Sequence, residues 1–154
     1  MGLTLSAFAS RSFQVIGYDA DSRVVEQLNK GISHIEGVDS GLIQERIKAG
    51  TFNATNSGRE LEVVDIVLIA VPTPLSVNRE PDLSYIEAAC RTLGENVKHP
   101  VLVINESTSY PGTLRNFIKP TIERYSKVKI EHLYAISPER VDPGRTDFNQ
   151  KNTP

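Results

Sequence analysis

Short runs of apolar, β-branched residues alternate along this chain with longer segments whose apolar positions recur at helical spacing. Residues 66–70 form the clearest run, Ile-Val-Leu-Ile-Ala, and such a continuous stretch is expected of a strand covered on both faces. Residues 13–18, 101–104 and 130–136 predict further strands, and 51–55 an edge strand. Between them, residues 1–11 predict a helix. Asp21 or Ser22 caps another through Lys30, stopped by Gly31, and a third covers 42–48, ended by Gly50. Asp82 caps a strong helix over 83–97, whose buried stripe is Ile86, Ala89, Cys90, Leu93 and Val97. Residues 112–127 are also helical, with Leu114, Phe117, Ile118, Ile122 and Tyr125 inward and a kink expected at Pro120. Strands alternating with helices imply βαβ units and a parallel sheet.

Composition narrows the class without naming a function. At 154 residues the chain suits one domain with a real core. Its 17 basic and 19 acidic residues leave a net charge of −2 with no basic cluster, which argues against nucleic acid or an anionic membrane as partner. The longest apolar run is too short to span a bilayer and no secretory leader is evident, so the cytoplasm is the expected location. The single cysteine, Cys90, excludes an internal disulfide framework, and its place on a buried stripe assigns it to packing rather than nucleophilic attack. His34, His99 and His132 lack metal-ligand spacing.

Polar, proline-stiffened loops follow three of the strands: Val71-Pro72-Thr73-Pro74-Leu75, Glu106-Ser107-Thr108, and Ser137-Pro138-Glu139-Arg140-Val141-Asp142-Pro143-Gly144. In open α/β sheets the ligand crevice lies at such strand ends, so the three loops are expected to build one site. Asp19 ends a strand where, in a dinucleotide fold, a carboxylate accepts the adenosine ribose hydroxyls and repels a 2′-phosphate; a turn or helix cap is an equally good reading. The Val-Pro-Thr-Pro loop reads either as a cofactor wall or as a rigid strand exit. Thr108, just before a helix, reads as a phosphate or oxygen ligand or as a simple cap. Glu139 could position water or accept a proton, and Arg140 could clamp an anion, against the plainer reading of a surface ion pair. Gly2 lies 17 residues before Asp19, where the last glycine of a phosphate-binding fingerprint would fall.

Together these segments, with Val15-Ile16-Gly17-Tyr18-Asp19, Leu28-Asn29-Lys30-Gly31, Pro81-Asp82-Leu83-Ser84-Tyr85 and Pro111-Gly112-Thr113, resemble the UDP-glucose/GDP-mannose dehydrogenase family over essentially the whole chain. The resemblance is strongest to the branch that oxidises UDP-N-acetylglucosamine or UDP-N-acetylmannosamine to the uronic acid. It implies the N-terminal NAD-binding domain of such an enzyme, a Rossmann-like doubly wound parallel α/β sheet. It implies cofactor-binding roles for Gly2, Asp19, Arg23, Val71, Pro72, Thr73 and Thr108, catalytic roles for Thr108 and Glu139, and substrate binding by Glu139 and Arg140. The family's reaction uses two NAD per sugar and a cysteine nucleophile from a segment other than that of Cys90. Implied partners are NAD and a UDP-sugar, in a homo-oligomeric parent.

Two departures qualify the picture. The first strand of the fold and the first two fingerprint glycines have no counterpart here, and neither do the catalytic cysteine and the sugar-nucleotide domain. The chain is therefore expected to be a piece of such an enzyme, inactive alone, with a non-catalytic nucleotide-binding or interaction module as the alternative. In the strand order 3-2-1-4-5-6 the first strand is central. Without it, strand 13–18 and strand 66–70 stand about two spacings apart, roughly 9–10 Å. A gap, a rearranged sheet or a borrowed edge is expected, with self-association through exposed edges.

Overall fold

The computed structural model describes residues 2–35 and 38–137. Among the described residues five helices and five strands follow in the order α1 (Gly2–Ala9), β1 (Val15–Tyr18), α2 (Ser22–Asn29), α3 (Ser40–Lys48), β2 (Phe52–Thr55), β3 (Ile66–Ile69), α4 (Ser84–Asn96), β4 (Leu102–Asn105), α5 (Lys119–Tyr125) and β5 (Leu133–Ile136). A 3₁₀ helix, Gly58–Val63, precedes β3, and a π-helical turn, Leu114–Ile118, runs into α5. Every strand pairing is parallel.

The helix ends follow local chemistry. The Asp21 side chain accepts the Arg23 N–H and caps α2, and Asp39 does the same for α3 through the Gly41 N–H. Gly31 closes α2 at φ +73°, a left-handed conformation that disfavours any side chain. At Pro120, where a kink is expected, the chain forms a π-helical turn instead of one continuous α-helix. With no N–H at Pro120, the regular ladder cannot continue across it, and the Lys119 N–H instead reaches Leu114 O, five residues back.

The sheet is split. β1 pairs with β2, while β3, β4 and β5 form a separate three-stranded sheet, and among the described residues no strand joins β1 to β3. Of the three outcomes expected for the sheet, a gap, a rearrangement or a borrowed edge, the described residues show the gap. Each half has its own core. Leu3 and Ala7 of α1, Leu28 of α2 and Ile43 of α3 pack on Phe52, Ala54 and Val15. Ile86, Cys90 and Leu93 of α4, with Ile118 of the π-helical turn and Ile122 of α5, pack on Ile69, Val103, Val67 and Tyr134. Ile16, on the opposite face of β1 from Val15, packs against this second core and joins the halves. Glu60 of the 3₁₀ helix accepts from Thr55 Oγ1 (2.7 Å) and Asn53 Nδ2 (3.1 Å), tying that segment to β2.

One expectation fails. Residues 66–70 are not covered on both faces: Ile66 is 51% and Leu68 46% exposed, and Leu133, in register with Ile66 through Leu102, is 69% exposed. Both α4 and α5 lie on the other face, so the apolar run faces solvent on this one. No helix of the described residues is long and apolar enough to cross a membrane.

Cys90 sits at zero exposure in the second core, and burial pushes its thiol up to about 12. His132 is also buried, with Nδ1 accepting the Val101 N–H at 3.3 Å. Burial, and secondarily the charge of His99, holds its pKa below the ordinary 6.5. The folded chain therefore binds fewer protons there than the unfolded chain. The stability this confers is complete above pH about 6.5 and is lost as pH falls toward the lower folded value. Thermal unfolding is expected to shift down between pH 7 and 5, and His132→Gln, which keeps an acceptor but cannot titrate, should reduce that slope.

Candidate active site

The loops after β3 and β4 meet at the carboxyl edge of the three-stranded sheet. They line a cleft of about 290 Å³ formed by Ala70, Val71, Pro72, Thr73, Glu106, Ser107 and Thr108. Ser107 is the clasp. Its Oγ accepts the Val71 N–H at 2.9 Å and lies 2.9 Å from Val71 O and 3.3 Å from Ile69 O, one of which takes its proton. The Glu106 N–H also bonds Ile69 O, at 2.9 Å. Asn105 holds the second loop from beneath, its Nδ2 donating to Ser107 O (3.0 Å) and Ser109 Oγ (3.2 Å). The two loops thus move as one wall, with Pro72 and Pro74 restricting φ on one side.

Thr73 and Thr108 share this cleft. Thr108 is exposed, and among the described residues its hydroxyl bonds no other protein group, so it is presented rather than spent on capping. The capping alternative fails in this region: Ser109 Oγ serves Asn105, and the Thr113 side chain bonds Tyr110 O at 2.7 Å.

Asp19 lies off this wall, at the carboxyl end of β1 in the other half-sheet. Its Oδ1 accepts the Asp21 N–H at 2.9 Å, which fixes the carboxylate and leaves Oδ2 directed elsewhere. Arg23 folds back on Asp21 through Nε (3.1 Å) and Nη2 (2.8 Å). That guanidinium holds the exposed Asp21 carboxyl down to about 2. Gly2 opens α1 beside the cleft, where a Cβ would stand 3.7 Å from the Ala70 Cβ. Glu139 and Arg140 lie outside the described residues. The structure therefore brings Val71, Pro72, Thr73 and Thr108 together, sets Gly2 at their rim, and holds Asp19 and Arg23 on the neighbouring half. Sequence reasoning missed Ser107 as the clasp. A lone serine among serines and threonines carries no signal that its partner lies 36 residues away.

The sequence profile of the UDP-glucose/GDP-mannose dehydrogenase family, NAD binding domain, matches residues 1–153. The chain belongs to this family. Among curated relatives, the UDP-N-acetyl-D-mannosamine dehydrogenase of Pyrococcus horikoshii is 37% identical over 92% of this chain and 34% of its own length. The UDP-N-acetyl-D-glucosamine 6-dehydrogenase of Pseudomonas aeruginosa is 30% identical over 94% and 34%. A crystal structure of GDP-mannose dehydrogenase from Pseudomonas aeruginosa superposes with a TM-score of 0.84 at 30% identity, covering 92% of this chain and 34% of that one. The structure of the Pyrococcus horikoshii UDP-D-ManNAc dehydrogenase gives 0.82 at 36% identity, over 92% and 34%. The chain thus spans about a third of the length of the relatives it matches. The family domain is an NAD-binding Rossmann-type fold, and NAD is its cofactor.

The residues fit that cofactor in part. A fixed carboxylate at one strand end and a hydroxyl-bearing cleft at two others are the groups a dinucleotide needs across an α/β sheet. The cleft's volume sits at the lower end of ligand pockets and suits one portion of the molecule.

Proposed function

We propose that this chain is the cofactor-holding part of an enzyme that oxidises the C6 hydroxyl of a UDP-N-acetylhexosamine to the uronic acid, in a homo-oligomeric cytoplasmic parent that serves polysaccharide synthesis. The observation that carries the reading is the clasped cleft of Val71, Pro72, Thr73 and Thr108 at adjacent strand ends, in a chain of this family. The relatives named for UDP-N-acetylhexosamines support the choice of sugar.

In this proposal Asp19 binds the adenosine ribose through Oδ2, with Arg23 and Gly2 beside the phosphates. Val71, Pro72 and Thr73 lie along the cofactor, whose nicotinamide ring accepts hydride when bound. Thr108 donates its free hydroxyl to the nicotinamide side or to the reacting oxygen. Glu139 positions water or takes a proton, and Arg140 holds the anionic sugar nucleotide. Cys90, fully buried and with its thiol pushed to about 12, does not supply the nucleophile. This chain alone is therefore expected to turn over no UDP-sugar.

Calorimetric titration with NAD is the direct test. Binding is expected, and Asp19→Ala should weaken it about tenfold, the loss of one charge-assisted hydrogen-bonding group worth about 1.4 kcal/mol. An unchanged dissociation constant would remove Asp19 from the site. The second reading, a non-catalytic module, draws on the unpaired inner edges of the two half-sheets. Measured oxidation of a UDP-sugar by this chain would exclude it.

A further inference from the structure

Asn105 is the last residue of β4, the middle strand of its sheet. It stands in register with Ile69 on one side and Ile136 on the other, and its side chain is completely buried. Val103, two residues earlier and on the same face, belongs to the apolar core. Such a setting suits an apolar side chain. An amide buried there is a loss unless its polar atoms are used.

Only half of this amide is used. Nδ2 donates to Ser107 O at 3.0 Å and to Ser109 Oγ at 3.2 Å. Oδ1 is buried and, among the described residues, accepts nothing. An asparagine that serves its own turn works the other way round, its oxygen taking a backbone N–H two residues on. Here an idle acceptor is tolerated so that two donors stand in place. The main chain of Asn105 is occupied elsewhere, its carbonyl accepting the Ser137 N–H at 3.0 Å in the ladder to β5.

The two donors land on either side of Thr108. Ahead of it, Ser107 is already fixed to β3, by its N–H to Ile69 O (3.2 Å) and by its hydroxyl to Val71. Behind it, the contact with Asn105 is the one hydrogen bond of Ser109 among the described residues. Thr108 itself is exposed and makes none. The place of its hydroxyl is therefore inherited from its two neighbours, and on the far side from Asn105 alone.

We propose that Asn105 is a positioning residue: by holding Ser107 O and Ser109 Oγ it fixes where Thr108 presents its hydroxyl to the nicotinamide end of a bound NAD. The cofactor role of Thr108 is the one proposed above, on which this positioning depends. Asn105 touches no ligand, being sealed beneath the loop.

The test is calorimetric titration of this chain with NAD and with ADP-ribose, which keeps the adenosine and pyrophosphate and lacks the nicotinamide. Asn105→Leu retains the branched shape and removes both donors. Ser109→Ala removes only the far contact from a half-buried loop residue, and it carries the test if the leucine variant fails to fold. Asn105→Leu is expected to weaken NAD about fivefold to tenfold and Ser109→Ala about threefold, while ADP-ribose changes by less than about twofold. Thr108→Val should show the same split between the two ligands. Added to Thr108→Val, neither of the other changes should weaken NAD by more than about another twofold, because the hydroxyl they position is gone. Equal losses for NAD and ADP-ribose would make Asn105 a support of the fold and overturn the proposal. Losses that multiply in the double variants would overturn it too, as would parent affinity in both the Asn105 and Ser109 variants while Thr108→Val binds weakly. Parent affinity in Thr108→Val would instead take Thr108 away from the nicotinamide, and the role of Asn105 with it.

Discussion

Gly94→Ala is expected to lower the thermal midpoint by roughly 4–8 °C, although alanine is the better helix former. Gly94 lies within α4 at its closest approach to α5. An added Cβ would stand 2.5 Å from Ile122 O, 2.9 Å from the Tyr125 Cβ and 3.1 Å from the Ser126 N. Two of the three atoms are backbone, so no rotamer change relieves the clash and the helices must separate. Helix propensity would contribute about 1 kcal/mol in favour of alanine. Overpacking of this kind costs about 1–3 kcal/mol, and the closeness of a carbonyl oxygen puts this site at or above the top of that range. The net loss is about 2 kcal/mol, at roughly 2–4 °C per kcal/mol for a chain of this size. Circular dichroism melting decides it. Trimming Tyr125 in the same chain should not restore the midpoint, because Ile122 O remains. A midpoint at or above that of the parent chain would mean that α4 and α5 are not packed this closely.

Removing the Asn29 side chain should have a second large effect, with a different signature. Asn29→Ala leaves the Ala54 N–H and C=O without the two bonds at 2.9 and 2.8 Å. Each partly buried group so stranded costs about 1–3 kcal/mol. Asn29→Asp is the informative companion. It keeps an acceptor for the Ala54 N–H but sets a carboxylate oxygen against Ala54 O, so it should recover less than half of the loss. Because the alanine variant uncovers an edge, light scattering should rise with concentration as well. A variant that melts like the parent chain and stays monomeric would show that the amide contributes nothing to this edge.

Much of this fold could be read from spacing alone. The β-branched runs, the Asp21 cap and the glycine after α2 are local signals, and they appear where local chemistry puts them; Asp82, read as the cap of α4, stands one residue before the N-cap Leu83 and accepts the Ser84 N–H. The split sheet was also legible, because a parallel order with a central strand absent admits few outcomes. What escaped is long-range or depends on absent cover. The exposed face of β3 reads in sequence as a fully buried strand, since apolarity reports what a segment can bury and not what lies on it. Ser107 and Asn29 act across 36 and 25 residues, beyond any periodicity. Pro120 announced a disruption of its helix, but not that one wider turn would absorb it. In the site, the Val71-Pro72-Thr73 and Thr108 loops were readable as strand exits, while the bond that clasps them was not.

The split also divides the way the molecule yields to heat. Two cores joined through Ile16 give the two halves unequal resistance to unfolding. Damage at Gly94 then loosens the half built on α4 and α5, while damage at Asn29 loosens the half built on α1 to α3. Each should therefore broaden the transition as well as lower its midpoint, because one half gives way ahead of the other.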